Sequence, residues 1–256
     1  MPAMFDLSGR AALITGGNGG IGLAMARGMA EAGASIAIAG RNRPKSEQAA
    51  KGLEKDFGVR AVTIDVDVAD EAQVRSMVEQ AQRELGRLDI LVNNAGTNIR
   101  KPAHDLTMAE WHRVLDTNLT SVFVASQAAY AAFKRAGGGK IINIGSMFSV
   151  LSAGFAPVYS ATKGGLVQLT KSMAIAWAKD NIQVNAVLPG WIDTELTQRA
   201  RSDVPGLHDS VLSRSPTGRW GRPEDLAGVA VFLASSASDF VTAASIPVDG
   251  GYLAVG

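Results

Sequence analysis

Three side chains in the second half of the chain have the types and spacing needed for proton transfer at an oxygen. Tyr159 and Lys163 are four residues apart in a pattern that predicts a helix, so both lie on one helix face. Because a nearby ammonium favours the phenolate, we expect Lys163 to lower the pKa of Tyr159 from its ordinary value of about 10. Tyr159 can then protonate a ketone oxygen or deprotonate an alcohol. Ser146 ends a predicted strand, and its hydroxyl can bond the same substrate oxygen.

A glycine-rich turn near the N-terminus has the form of a phosphate-binding site. Residues 15–22 read Thr-Gly-Gly-Asn-Gly-Gly-Ile-Gly, between a predicted strand and a predicted helix. Gly16 permits a sharp turn, Gly20 lets the backbone approach a pyrophosphate, and Gly22 allows close packing of helix on sheet. The free N–H groups and the dipole at the helix start would hold the phosphates. The turn therefore predicts a dinucleotide site, which Asn18 and Ile21 also contact.

The end of the second predicted strand indicates which dinucleotide binds. NAD-binding proteins usually carry an acidic residue there, which accepts hydrogen bonds from the ribose hydroxyls. This chain has Gly40-Arg41-Asn42-Arg43 instead. Because a carboxylate would repel a 2′-phosphate and Arg41 can pair with it, we predict a preference for NADP(H). Use of NAD(H) stays open, since nothing in the sequence blocks it.

Short apolar runs alternate with longer helical patterns along the whole chain. Continuous apolar runs are typical of parallel strands buried on both faces, and repeated strand–helix units imply right-handed crossovers. We predict an α/β fold, a Rossmann-type doubly wound parallel sheet of seven strands with helices on both faces, in a single dinucleotide-binding and catalytic domain over residues 1–256. The predicted strands are 11–15, 35–39, 61–65, 89–93, 140–144, 183–188 and 245–248. The predicted helices are 21–32, 45–56, 70–85, 107–135, 157–179 and 222–234.

Residues 191–221, called here the covering segment, interrupt this alternation and are rich in Pro, Gly, Ser and Arg. A long irregular stretch in a compact domain is usually functional or mobile, so we expect it to close over the substrate and exclude water. With Arg100 and Lys101 nearby, its basic side chains favour an anionic substrate such as a sugar acid, with ordinary solvated charge as the alternative. These side chains are Arg199, Arg201, His208, Arg214 and Arg219.

Composition excludes several other classes of protein. The 256 residues include 25 Lys and Arg against 24 Asp and Glu, and a net charge of +1 is too small to draw the chain to nucleic acid or membrane. The lack of cysteine excludes disulfides, cysteine–zinc sites and thiol catalysis, and we expect no metal. The first residues do not read as a signal peptide, and no apolar run approaches membrane-helix length. We therefore expect a cytoplasmic protein that does not bind a membrane.

Taken together, these motifs resemble the short-chain dehydrogenase/reductase family. The matching pieces are the turn at residues 15–22, Asn93-Asn94-Ala95-Gly96, Ser146, and Tyr159-Ser160-Ala161-Thr162-Lys163, in the family's order and spacing. The resemblance implies that Lys163 also bonds the nicotinamide ribose and that Asn118 holds a water in a proton relay.

Further cofactor contacts follow from the same resemblance. Asp67 corresponds to an aspartate that bonds the adenine amino group, and the backbone of Val68 would touch the ring. Asn94, Ala95 and Gly96 would pass beneath the adenosine ribose. The segment of residues 189–194 would meet the nicotinamide carboxamide, and its expected site residues are Pro189, Gly190, Ile192 and Thr194.

The resemblance implies an oxidoreductase that moves a hydride between NADP(H) and a small alcohol or ketone. Shorter sequence motifs, such as Ile144-Gly145-Ser146-Met147, resemble those of bacterial sugar-acid dehydrogenases. A 3-oxoacyl-carrier-protein reductase, glucose 1-dehydrogenase and other polyol dehydrogenases remain alternatives. A non-catalytic cofactor-binding protein would normally lack the tyrosine or the lysine. Family members are commonly tetramers, so the resemblance also implies a homotetramer.

Overall fold

One parallel sheet lies at the centre of the structure, a computed structural model that describes residues 2–255. Across the sheet the strands lie in the order 3-2-1-4-5-6-7. In chain order they are β1 (Ala11–Thr15), β2 (Ser35–Gly40), β3 (Ala61–Asp65), β4 (Ile90–Asn93), β5 (Gly139–Ile144), β6 (Ile182–Pro189) and β7 (Ser245–Val248).

Helices cover both faces of this sheet. None of the helices within residues 2–255 is both long and apolar enough to span a bilayer. They are α1 (Gly20–Glu31), α2 (Arg43–Phe57), α3 (Glu71–Leu85), α4 (Met108–Leu115), α5 (Ser121–Ala136), α6 (Pro157–Trp177), α7 (Glu195–Asp203), α8 (Leu207–Arg214) and α9 (Ala227–Ala234).

Two apolar clusters bury the two faces of the sheet. Along β2, Ile36 and Ile38 belong to the cluster under α1, α2 and α9, whereas Ala37 and Ala39 belong to the cluster under α3, α5 and α6. Alternate residues of a strand point to opposite faces, so a strand buried on both sides must be apolar throughout. This arrangement confirms the doubly wound α/β fold expected from the sequence.

The topology places the glycine turn and the Asn94–Gly96 loop at the carboxyl ends of the central strands. β1 pairs with β2 on one side and with β4 on the other. The chain leaves β1 for α1 on one face and leaves β4 for helices on the other face, so a crevice opens at the carboxyl ends of these strands. The glycine turn and the Asn94–Gly96 loop meet in that crevice.

One local prediction from the sequence needs a refinement and one is wrong. The helix expected at 107–135 continues from α4 to α5 through a π-helical turn, Asp116–Thr120, which the apolar pattern does not reveal. The covering segment is not irregular, because it contains α7 and α8. Thr194 starts α7 with a capping box, in which its hydroxyl accepts from the Thr197 N–H. The surrounding proline and glycine residues hide these short helices from a periodicity analysis.

Candidate active site

Ser146, Tyr159 and Lys163 lie together where β5 ends and α6 begins. Pro157 opens α6, so Tyr159 and Lys163 occupy its first two turns and share a face. The Lys163 Nζ atom lies 5.7 Å from the centre of the Tyr159 ring. The Ser146 hydroxyl faces the phenol and favours its ionised form. The helix thus brings together the three side chains that the sequence singled out.

The structure corrects the expected pKa of Tyr159. Burial of the hydroxyl raises this pKa, and the opposing effects of the Ser146 hydroxyl and the Arg100 charge are smaller. Lys163 donates to the carbonyl oxygen of Ile144 at 2.6 Å, and burial lowers the pKa of its ammonium to about 8. The expectation of a lowered tyrosine pKa is therefore wrong for this geometry, because desolvation of the phenolate outweighs the nearby charges.

Asn118 lies on the π-helical turn between α4 and α5, and it is fully buried. Its Oδ1 accepts from the Thr97 N–H at 2.8 Å, and its Nδ2 donates to the Thr97 carbonyl at 2.9 Å and to Thr162 Oγ1 at 3.3 Å. The turn therefore fixes the loop after β4 against α6, next to Lys163. The relay role of Asn118 stays a prediction.

The glycine turn after β1 forms a cradle that side chains would fill. A Cβ atom on Gly22 would lie 2.4 Å from the Gly16 carbonyl oxygen, and Gly16 and Gly20 have positive φ angles of 64° and 50°. The Asn94 amide donates to the carbonyls of Thr15 and Gly16 at 3.0 and 3.1 Å, which holds the turn. Because α1 starts here, its free N–H groups face the groove, and the cradle fits a pyrophosphate.

This cradle is the middle of a continuous groove made of two adjoining cavities of about 310 and 410 Å³. The first cavity contains Ser146, Tyr159 and Lys163. Its wall also carries residues of the segment after β6 that the sequence assigned to the nicotinamide end, namely Pro189, Gly190, Ile192 and Thr194. The residues shared by both cavities are Gly16, Asn18, Lys45, Ala95, Gly96, Glu195 and Leu196.

The second cavity contains the residues expected at the adenosine end. Arg41, Asp67 and Val68 line it, and Arg41 Nη1 lies 3.8 Å from the Asp67 carboxylate. Arg43 instead pairs with Glu47 at 2.8 Å and with Asp65 at 3.5 Å. Both side chains are largely exposed, Arg41 at 71% and Arg43 at 68%, but Arg41 has the longer ion pair, so it can turn toward a phosphate more readily.

Most basic side chains of the covering segment have partners within the protein. Arg201 pairs with Asp193, and its guanidinium stacks over Trp220 at 4.3 Å. Arg219 pairs with Asp225 at 2.7 Å. Arg214 lies 4.7 Å over the ring of Tyr252, and the His208 ring accepts from Trp220 Nε1 at 3.1 Å. The prediction that all basic side chains of the covering segment face an anionic substrate is therefore wrong.

Among the basic side chains expected at the substrate, Arg100 is one whose charge acts on Tyr159. Its side chain is only 15% exposed, and its charge acts on the Tyr159 phenol. It donates to the Leu196 carbonyl and pairs with Asp203, both at 3.1 Å, so it also ties α7 to the loop after β4. The neighbouring Lys101 points elsewhere and pairs with Glu110 at 2.5 Å. Arg199, unlike Arg100, lines the adenosine cavity.

Aromatic side chains connect α6 to the covering segment. Phe148 meets the rings of Tyr159 and Trp191 edge-on, with centroids 6.2 and 6.0 Å apart. Trp191 in turn packs on Trp220 at 5.5 Å.

Within the described residues, no three His, Asp or Glu side chains come together as potential metal ligands.

Lys45 and Glu195 line the groove but were missed by reasoning from the sequence. They are 150 positions apart, and their side chains meet at 2.5 Å between Nζ and Oε1. Lys45 lies just beyond the Gly40–Arg43 stretch, and Glu195 directly follows Thr194, so both lie beside motifs already singled out. Only the fold shows that they face each other.

Comparison with known proteins gives consistent matches over nearly the whole chain. The family model described as enoyl-(acyl carrier protein) reductase matches residues 16–253. Gluconate 5-dehydrogenase from Gluconobacter oxydans is 42% identical over 251 residues, covering 98% of this chain and 97% of that protein. 2-Dehydro-3-deoxy-D-gluconate 5-dehydrogenase from Dickeya dadantii is 44% identical over 253 residues, 98% of each chain. A structure of gluconate 5-dehydrogenase from Burkholderia cenocepacia, in complex with NADP and tartrate, has a TM-score of 0.93 and 44% identity over 99% of each chain.

The fold, the glycine cradle and these matches define a nicotinamide-dependent oxidoreductase that acts on CH–OH groups. The chain belongs to the short-chain dehydrogenase/reductase family.

Proposed function

We propose that this enzyme transfers a hydride between NADP(H) and a hydroxyl or keto carbon of a sugar acid of the gluconate type. The observation that carries the proposal is the position of Tyr159, which lines the dinucleotide groove with Ser146 and Lys163 and whose phenol is influenced by the charge of Arg100. This arrangement combines a proton donor, a hydrogen-bond donor for the same oxygen and a cation for a carboxylate. The nicotinamide, when bound, supplies or accepts the hydride.

In the reducing direction, Tyr159 gives its phenolic proton to the carbonyl oxygen as the carbon gains the hydride. Ser146 donates a hydrogen bond to that oxygen and stabilises the negative charge developing on it. Lys163 holds a positive charge beside the ring and favours the phenolate that remains. The raised pKa keeps Tyr159 protonated at neutral pH, which is the form that reduction requires. Oxidation requires the phenolate, so its rate rises with pH.

The preference for NADP(H) rests on the adenosine end of the groove. A 2′-phosphate would meet Arg41, whose guanidinium is exposed. The acidic residue that NAD-binding proteins usually carry at the end of the second strand is absent from Gly40–Arg43. Asp67 pairs with Arg41 only at 3.8 Å, a separation at which a phosphate can compete for the guanidinium. The Burkholderia cenocepacia relative is in complex with NADP, and an Agrobacterium tumefaciens relative has bound NADP.

A substrate carboxylate is proposed because the charge of Arg100, a side chain only 15% exposed, acts on the phenol. Asp203 and the Leu196 carbonyl each accept from one terminal nitrogen of this guanidinium, so its other N–H groups can bond a carboxylate and fix which carbon of the acid faces Tyr159. Relatives named for gluconate and for deoxy-ketogluconate act on acids of this kind.

A homotetramer in the cytoplasm remains a prediction. The exposed apolar side chains of Phe123 on α5 and Ile175 on α6 support the assembly.

The proposal is tested by following NADPH consumption with a panel of carbonyl compounds. We expect turnover with 5-keto-D-gluconate or a related keto acid, a lower kcat/KM with the neutral sugar of the same shape, and slower reaction with NADH. An acetoacetyl thioester and a neutral polyol represent the alternative substrates. Efficient reduction of the thioester, with none of the keto acids, would contradict the proposal and favour an acyl-carrier substrate. Tight cofactor binding without any turnover would favour a non-catalytic protein.

A further inference from the structure

An ion pair closes over the middle of the dinucleotide groove. Lys45 Nζ and Glu195 Oε1 are 2.5 Å apart, and both residues line both cavities. A Cβ atom on Gly19 would lie 3.0 Å from Lys45 Nζ, which places the ammonium directly above the glycine cradle. Thr194 approaches the same cradle, since its Cγ2 would lie 3.3 Å from a Cβ on Gly20. The pair therefore occupies the place where cofactor phosphates would pass.

The two partners are held to different degrees. Lys45 lies in the first turn of α2, whose N-terminal Asn42 accepts from the Lys45 N–H at 3.1 Å. Asn18 of the glycine turn donates to Ser46 at 2.9 Å, so the lysine backbone is fixed to the cradle. Glu195 is the first residue of α7, and its side chain is 76% exposed against 36% for Lys45. The carboxylate can therefore leave for water at little cost, while the ammonium stays over the cradle.

We propose that Lys45 is a phosphate ligand of the cofactor and that Glu195 competes with the cofactor phosphate for it. The inference rests on the proposed function, since it concerns the same groove. A phosphate carries more charge than a carboxylate and offers more acceptor oxygens, so binding of the cofactor replaces the Lys45–Glu195 pair by a Lys45–phosphate pair.

The exchange also changes how the covering segment is held. Two of the contacts that hold α7 lie beside the groove: Glu195 to Lys45 on the cofactor side, and Leu196 with Asp203 to Arg100 on the other side. When a phosphate takes Lys45, the first of these contacts is lost, while Thr197 still donates to the Ile192 carbonyl and Arg201 still pairs with Asp193. Arg100 keeps the second contact.

The test is a double-mutant cycle on cofactor affinity, measured by titration calorimetry with NADP⁺ and NAD⁺ on the full chain. We expect Lys45→Ala to weaken NADP⁺ binding about tenfold, the effect of losing one hydrogen bond to a charged group. Glu195→Gln removes the competitor and should tighten binding about threefold, in the range of exposed ion pairs. In the double variant the gain from Glu195→Gln should disappear, because the glutamate acts only through Lys45. The matched controls are Lys51→Ala, on the same helix, and Asp209→Asn, in the covering segment, where affinity should not change.

The outcomes show which phosphate group of the cofactor Lys45 binds. A loss with NADP⁺ alone assigns Lys45 to the 2′-phosphate, and an equal loss with NAD⁺ assigns it to the pyrophosphate; either result supports the proposal. A gain from Glu195→Gln that persists in the Lys45→Ala background would overturn it, because the glutamate would then act on the cofactor directly. Unchanged affinity in both single variants would overturn it as well. If wild-type protein binds neither dinucleotide, the proposed function fails together with this inference.

Discussion

Replacing Tyr159 by Phe is expected to lower kcat for keto-acid reduction by about a thousandfold or more, within the range attributed to a positioned general acid. The substitution removes only the phenolic oxygen, and with it the proton that Tyr159 gives to the substrate carbonyl. The ring remains and keeps its edge-on contact with Phe148, whose centroid is 6.2 Å away. We therefore expect the affinity for NADP⁺, measured by calorimetry, and the thermal unfolding midpoint to stay close to those of the wild type.

The pH dependence of the wild type is the internal control for this result. Because burial raises the pKa of Tyr159, the phenolate fraction at neutral pH is small and grows about tenfold for each pH unit below that pKa. The rate of alcohol oxidation should follow this increase, whereas any residual rate of the Phe variant should not. A Phe variant that keeps more than a tenth of the wild-type kcat would remove Tyr159 from the proton transfer.

Replacing Arg100 by Gln is expected to lower kcat/KM for a keto acid by about thirtyfold or more, the usual effect of removing one partner of a buried charge pair. Arg100 is 15% exposed and acts on the phenol, so a carboxylate bound there would be shielded from water. A neutral ketose of the same shape gains nothing from the guanidinium, and its kcat/KM should change far less. The measurement is a steady-state comparison of both substrates in both proteins.

Arg100 also supports α7, so loss of that support must be distinguished from loss of substrate binding. A structural defect would lower the rates of the acid and of the neutral ketose equally, which would contradict the proposed role. Lys101→Ala is the matched control, since Lys101 is the adjacent cation but pairs with Glu110. Arg100→Lys, which keeps the charge but not the planar pair of donors, should recover part of the lost kcat/KM.

The sequence predicts the sheet and the grouping of Tyr159 with Lys163 because both follow from local patterns. Most of the strands are apolar runs, and the spacing of Tyr159 and Lys163 defines one face of α6 whatever the rest of the fold. Where a strand end differs from the prediction, it differs by one residue, within the usual uncertainty of such boundaries. The glycine cradle was also predictable, since Gly16, Gly20 and Gly22 stand between a strand and a helix.

The sequence does not predict features that depend on side-chain environment or on distant contacts. The pKa of Tyr159 is raised because desolvation exceeds the effect of the surrounding charges, a balance that residue types alone do not give. The charges of the covering segment looked like one substrate-binding set, yet Arg201 and Arg219 form ion pairs with Asp193 and Asp225. The π-helical turn that carries Asn118 also left no periodic signal.

The central claim is that this groove passes a hydride from the nicotinamide to a keto carbon of a sugar acid. The most direct test is reduction of 5-keto-D-gluconate with NADPH that carries deuterium on the transferable position, followed by mass spectrometry and NMR of the product. We predict one deuterium for each NADPH consumed, located on the carbon of the new CH–OH group, and far less labelled product in the same time when Tyr159 is replaced by Phe. Product without deuterium on that carbon, or consumption of NADPH without any reduced acid, would contradict it.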